Sequence, residues 1–423
     1  VTVGKVQSLM NLGEAMLVYA MDSNFVYVWV ITPEKAIVRL LPAKPKDIDA
    51  QVVEVRNQMV FDTGGQAITL NIAVLHDLYK NLFAPILPEI AGAAHVMVVP
   101  SGPLQSLPFG ILVSTPPSEI KSDADYRLVE WLAKSYAFSV LPSVSSVLAF
   151  RQFGKAEQAQ EPFVGFGDPA IGQGSNSTRS ARAKLDVAGV FRNLTKGNAK
   201  WASGTQGSEI ADVEAIRAAP RLPETAGELR NMAKALKASM QNVWLQEKAT
   251  ETQVKAMDLS KYRALAFATH GLMAGELKGV GEPGLILTPP KTGTVEDDGY
   301  LTAGEIAKLN LNADWVVLSA CNTAAADGSP GAEGLSGMAK AFFYAGSRSL
   351  LVSHWPVASE ATVLLTNVML KELATNPKQG KAQAQRKAML ELMNTPDHPE
   401  YAHPLFWAPF VVVGEGGAGT RVK

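Results

Sequence analysis

Short apolar runs and stretches of helical spacing share this chain, and the rhythm between them changes near residue 161. Before that point the pattern opens as antiparallel β. Leu17 to Ala20, Phe25 to Ile31 and Ala36 to Leu41 are rich in Val, Tyr and Ile, and Asp22-Ser23-Asn24 and Pro33-Glu34 separate them as turns. Apolar residues then recur at helical spacing over 46–60 and 67–82. His95 to Val99 reads as a buried strand closed by Pro100-Ser101-Gly102-Pro103, and Pro142-Ser143 opens a helix to Gln152.

Beyond 161, strands are expected at Phe163 to Phe166, Val243 to Leu245, Ala264 to Ala268, Trp315 to Leu318, Ser349 to Val352 and Pro409 to Val413. Helical spacing falls between them, from Leu222-Pro223-Glu224 to about 238 and over 250–258, 335–345, 359–374 and 378–393. Short apolar strands separated by helices imply βαβ units and a mainly parallel sheet covered on both faces. Two segments break the rhythm, 168–221 with its Gly, Ser and Asn, and 271–300 with its Gly, Pro and Asp. Irregular stretches of that length inside a compact domain are functional loops or tolerated insertions.

Composition narrows the class. The 423 residues allow two to four domains, and a hydrophobic share of 47% with 19% charged residues excludes a disordered chain. With 39 basic and 40 acidic side chains there is no basic field for a phosphate backbone, so nucleic acid is not an expected partner. The single cysteine excludes an internal disulfide framework and a multi-cysteine zinc site. No apolar run approaches the roughly 18 residues of a membrane span. The chain begins with Val1 rather than Met and its opening is not a signal peptide, so it reads as a piece or processed product of something longer, with a cytoplasmic location expected.

That cysteine and one histidine stand out because each follows a predicted strand. Arg263 to Ala268 runs into Thr269-His270-Gly271, and Trp315 to Leu318 runs into Ser319-Ala320-Cys321-Asn322. In an open parallel sheet the reactive crevice lies beyond the carboxyl ends of the strands, where neighbouring strands would deliver His270 and Cys321 together. Thiolate, not thiol, is the nucleophile; a nearby imidazole favours it, and the imidazolium can protonate a departing amine. Gly271 admits a close approach of backbone, and its N–H with that of Cys321 would hold an oxyanion. Taken singly, the cysteine reads as a small buried hydrophobe and the histidine as a core or capping residue. The pairing is what points to chemistry.

Other patterns are weaker. Gly165-Phe166-Gly167-Asp168-Pro169-Ala170 satisfies a dinucleotide GxGxxA, but Pro169 and the Gly/Ser/Asn run behind it do not open a helix, so NAD is not expected. His398 and His403, five apart among prolines, lack a partner at metal-ligand spacing. His354 follows a predicted strand and is a rival base, without the glycine that follows His270.

Several ordered blocks carry a family resemblance. They are Val99-Pro100-Ser101-Gly102-Pro103-Leu104 to Leu107-Pro108-Phe109, Gly167-Asp168-Pro169, Phe267-Ala268-Thr269-His270-Gly271 and Tyr300-Leu301-Thr302-Ala303-Gly304-Glu305-Ile306. Leu318 to Thr323, Gly334 to Gly346, Ser353-His354-Trp355-Pro356-Val357 and His403 to Phe410 continue the set. Over essentially the whole chain they resemble the CHAT domain family, caspase-like proteins of peptidase clan CD. Caspases place their histidine about 50 residues before the cysteine, as His270 stands before Cys321, although Ser319-Ala320-Cys321 replaces the caspase QAC. His354 departs from the apolar residue that members carry, and Ala358-Ser359-Glu360 follows where they have an acid nearer the tryptophan.

The resemblance implies an α/β fold with a caspase-like, mainly parallel sheet flanked by helices. Residues 1–160 would form an accessory, pseudo-caspase-like half and 161–423 the catalytic half. It implies a cysteine endopeptidase with His270 and Cys321 as its dyad, Gly271 and Cys321 as oxyanion donors, a protein substrate, and neither metal nor organic cofactor. Upstream tetratricopeptide-type repeats or another regulatory partner would control it, in bacterial immunity or cell death. Relatives line the S1 pocket with positions that fall here on Asp168 and Ser319. A carboxylate there would favour Arg or Lys at P1, whereas the local alternative makes Asp168 a turn former. The alternative for the whole is a latent or non-catalytic module that serves as a docking domain.

Overall fold

The computed structural model describes residues 1–62, 65–116, 119–152, 159–172, 210–277, 280–319, 337–355, 359–376 and 378–418. The alternation of the first forty residues becomes a meander of β1 (Glu14–Met21), β2 (Val26–Ile31) and β3 (Ala36–Leu40). In β2, Val26, Val28 and Val30 are buried while Trp29 is turned outwards, the period of two that the sequence shows. β4 (His95–Val99) is buried throughout and runs parallel to β1, with Leu17 beside Val98. The helices Pro45–Gln58 and Ile72–Leu82 stand where helical spacing predicts and bury Val52, Val55, Leu75 and Leu78. β5 (Ala137–Val140) is unforeseen, because Ser139 breaks its four residues short of a continuous apolar run.

From 161, β6 (Glu161–Pro169), β7 (Val243–Gln246) and β8 (Tyr262–Ala268) alternate with helices as expected. The segment 271–300, expected to be irregular, instead takes part in a small antiparallel sheet of β9 (Gly271–Leu272), β10 (Gly284–Ile286) and β11 (Tyr300–Thr302). Then come β12 (Trp315–Leu318), β13 (Ser349–Ser353) and β14 (Phe410–Gly414). Among the described residues eleven strands form one sheet, in the order β3-β2-β1-β4-β5-β14-β13-β12-β8-β6-β7. β14 runs parallel to β5 and antiparallel to β13. Hence β1, β4, β5 and β14 run one way, and β13, β12, β8, β6 and β7 the other.

Both faces of the second group are covered, which explains its unbroken apolar runs. Ala264, Ala266 and Ala268 of β8 join a core with Val317, Leu351 and Leu229 of the helix Glu224–Ala235. Leu265 and Phe267 enter the opposite core with Val316, Leu318 and Phe342 of the helix Gly337–Ala345. Each such large side chain contributes about 1.5–3 kcal/mol by leaving water. The fit is close at Gly167, where a Cβ would stand 2.6 Å from the Ala268 carbonyl oxygen and 2.7 Å from Leu229 Cδ1. Strand and helix packing therefore accounts for the glycine of the dinucleotide-like pattern.

Beside the first strand group, Arg151 of the helix Ser146–Gln152 is buried between two carboxylates. It reaches Glu14 at 2.6 and 2.8 Å and Glu415 at 2.7 and 2.8 Å. No helix among the described residues is long and apolar enough to cross a membrane.

Candidate active site

β8 lies between β6 and β12, and all three run parallel. Phe267 pairs with Leu318, and the Ser319 N–H donates to the Phe267 carbonyl at 2.9 Å. From that paired position His270 and Cys321 each follow three residues later in the sequence. Ser319 is fully buried. Cys321 lies outside the described residues, so the geometry is built from the histidine side.

His270 is 4% exposed. Its carbonyl accepts the Ile286 N–H at 2.9 Å, and the Thr269 hydroxyl donates to the Ile286 carbonyl at 2.6 Å. Its ring Nε2 lies 2.7 Å from the Pro220 carbonyl oxygen. A carbonyl can only accept, so Nε2 carries a proton and the lone pair of the neutral ring resides on Nδ1. Gly271 stands opposite Leu285. Hydrogen-bonded and non-hydrogen-bonded pairs alternate along an antiparallel ladder. Because His270 takes the Ile286 N–H, Gly271 falls on a non-hydrogen-bonded pair and its N–H points away from β10. That N–H is therefore not spent on the β10 ladder.

Asp168, the penultimate residue of β6, sits at a bulge with φ 44°, a left-handed conformation that Asp tolerates better than most residues. Its N–H donates to Thr225 Oγ1 at 2.9 Å, and its carbonyl accepts from Gln246 Nε2 at 2.7 Å. Arg221 grips its carboxylate with two parallel bonds, Nε to Oδ1 at 2.8 Å and Nη2 to Oδ2 at 2.9 Å. The acid that the sequence offers to a basic P1 side chain therefore already holds a guanidinium. Pro220 and Arg221 are consecutive: one orients His270 and the other occupies Asp168.

Neither Pro220 nor Arg221 was foreseen, because both close the segment 168–221, where no periodicity shows. The helix Val213–Ala218 interrupts that segment. Its approach is pinned by Asp298, whose carboxylate accepts the N–H groups of Ala211 at 2.6 Å and Tyr300 at 2.9 Å. Glu251 in turn accepts the N–H groups of Asp298 and Gly299 at 3.0 and 3.1 Å. Burial raises the Glu251 carboxyl above its ordinary range despite a hydrogen bond from Lys255.

The three other histidines that the sequence singles out sit in settings of their own. Burial, reinforced by the charge of Arg56, pushes the His354 ring down to about 3. It is neutral at physiological pH and a poor proton donor there. The Arg56 guanidinium lies 5.5 Å over the adjacent Trp355 ring. His403 donates through Nε2 to the Ile68 carbonyl at 3.0 Å, and its Nδ1 caps the helix Pro404–Trp407 by accepting from Leu405 N at 3.0 Å. His398 pairs with Glu400 at 2.8 Å. Among the described residues no group of three or more His, Cys, Asp or Glu could hold a metal.

A family model described as the CHAT domain matches residues 73–415. Tetratricopeptide repeat protein 28 of Mus musculus is 27% identical over an alignment of 161 residues, covering 34% of this chain and 6% of that protein. Saccharomyces cerevisiae separase, in its 2.6 Å complex with securin, superposes with a TM-score of 0.50 at 10% identity. That match covers 98% of this chain and 31% of the separase chain. The Arg-specific cysteine proteinase gingipain R, RgpB of Porphyromonas gingivalis, matches with a TM-score of 0.37 at 10% identity over 89% of this chain and 75% of its own. This chain thus spans a small part of the tetratricopeptide protein and about a third of separase. The likeness to separase is one of fold.

Proposed function

The chain belongs to the CHAT domain family and has its caspase-like, cysteine-peptidase-type α/β fold, and from that premise we propose that it is a cysteine endopeptidase with Cys321 as nucleophile and His270 as acid and base. The observation that carries this reading is the register of β8 and β12, whose paired Phe267 and Leu318 each precede one member of the dyad by three residues. The Cys321 thiolate attacks the peptide carbonyl, and the N–H groups of Gly271 and Cys321 hold the oxyanion. As the C–N bond breaks, the His270 imidazolium gives a proton to the leaving amine. With Nε2–H held by Pro220, that proton leaves from Nδ1. The neutral ring then takes a proton from water, which attacks the thioester and releases the thiolate. No metal or organic cofactor enters this sequence.

Residues 1–160 act as the accessory half and 161–423 as the catalytic half. Asp168, near the end of β6, and Ser319, just beyond β12, line the pocket for the P1 side chain. A basic P1 residue, the preference expected from Asp168 alone, requires Arg221 to yield its place. The substrate is a protein, and the stretch similar to a tetratricopeptide repeat protein supports control by such repeats or a comparable partner.

Iodoacetamide or a peptidyl chloromethyl ketone tests the dyad directly. Cys321 is expected to be labelled at neutral pH, slowly in His270→Ala, and cleavage is expected to vanish in Cys321→Ala. Absence of labelling, or full cleavage by Cys321→Ala, would return the chain to the docking-domain alternative.

A further inference from the structure

The carboxylate at the end of β6 is not an open receptor. Both of its oxygens are engaged by Arg221, and its side chain is 4% exposed against 34% for Arg221. The guanidinium edge carrying Nε and Nη2 faces Asp168, so Nη1 lies off the edge that the carboxylate holds, on the more exposed member of the pair. The preceding residue supplies the carbonyl 2.7 Å from His270 Nε2, which places this pair one residue from the histidine contact.

We infer that Arg221 is the specificity-determining residue of the P1 pocket, closing Asp168 to basic side chains and presenting guanidinium N–H groups to side chains that accept hydrogen bonds. This rests on the peptidase reading for the identity of the pocket, but the closure itself does not. An arriving arginine would exchange one fork for an equal one and leave Arg221 to find another partner. A lysine would lose the second bond of the fork. Neither exchange yields a net gain. A P1 Gln, Asn, Asp or Glu instead adds an acceptor to a donor edge without disturbing the pair. The backbone of Asp168 is clamped by Thr225 and Gln246, so the acid stays in place when Arg221 is removed.

Agmatine, a guanidinium compound without a peptide bond, tests the closure by calorimetric titration into the full chain. The unaltered protein is expected to bind it at least tenfold more weakly than Arg221→Ala, and adding Asp168→Asn to that variant is expected to abolish the gain. Arg221→Gln, which retains an amide donor toward Asp168, is the second variant should the alanine form fail to fold. Equal binding by the unaltered protein and the folded variant, or a gain that survives Asp168→Asn, overturns the closure.

In cleavage, peptides differing only at P1 are expected to show kcat/KM at least tenfold higher for Gln or Asp than for Arg, with the order reversed in Arg221→Ala. Best cleavage of P1 Arg by the unaltered chain sinks the assignment of specificity. If no variant cleaves and Cys321 is not labelled, the peptidase reading and the P1 assignment fall, and the agmatine results decide the closure alone.

Discussion

A ring proton held on Nε2 by the Pro220 carbonyl leaves Nδ1 as the basic nitrogen of neutral His270, so the proton traffic of the proposed reaction runs through one atom. His270→Ala is expected to lower kcat/KM by about 10²–10⁴-fold. It is also expected to move the pH midpoint of Cys321 alkylation up toward the ordinary thiol value of about 8.5. A purely structural histidine would leave that midpoint unmoved. His354 offers the contrast. Its folded-state pKa of about 3 lies below the usual 6.5, so the unfolded chain takes up its proton first and stability falls as pH drops below about 6.5. His354→Leu is expected to retain cleavage and to lose less thermal stability than the unaltered chain between pH 7 and pH 5. Both histidines follow a predicted strand, and the glycine after His270 is the sequence difference between them. Both are buried; the Arg56 charge beside His354 and the Pro220 carbonyl at His270 Nε2 separate them physically, and no local pattern displays either.

At the scale of elements, the end of β6 is set by contact between strand and helix. Gly167→Ala would drive a methyl group into the Ala268 carbonyl and Leu229, a fit that costs typically about 1–3 kcal/mol. A fall of that size in urea unfolding free energy is expected, with the bulge at Asp168 disturbed. An unchanged midpoint would mean that strand and helix part easily. The elements that were legible are those that repeat a period or form an unbroken apolar run: the meander, β8, β12, and the helices Pro45–Gln58, Ser359–Thr375 and Lys381–Met393. Those that were not are β5 and the strands β9 to β11, two to four residues each, which exist because neighbours offer them hydrogen bonds.

Across the whole molecule, Arg151 draws Glu14 from the first strand and Glu415 from beyond the last strand into one buried cluster. Burial alone would raise both carboxyls, but the hydrogen bonds from Arg151 outweigh it and hold both below their ordinary range, with His95 adding to the effect at Glu14. Depressed folded-state values mean that this contribution is complete above the unfolded value near 4.5 and is lost as pH falls further. Arg151→Met strands two buried carboxylates and is expected to cost about 3–5 kcal/mol at pH 7. Without the guanidinium, burial dominates, the folded-state values rise, and the sign inverts. Acidification from pH 7 to pH 5 is then expected to narrow the gap between variant and unaltered chain, read from urea midpoints at each pH. A constant gap would show that the carboxylates find other partners.

By itself the sequence determined the α/β class, the long strands and helices, and the positions of His270 and Cys321 beyond two strands, because apolar periodicity and chain order are local properties. Tertiary structure alone decided that β14 sits between β5 and β13, that β8 lies between the strands leading to Asp168 and Cys321, and that Pro220 meets His270 while Arg221 meets Asp168. The physical reason is distance along the chain. Pro220 and His270 are 50 residues apart and Arg221 and Asp168 are 53 apart, and Pro220 and Arg221 close a segment without repeating pattern. Such pairs form only when sheet register and helix packing have already placed both partners.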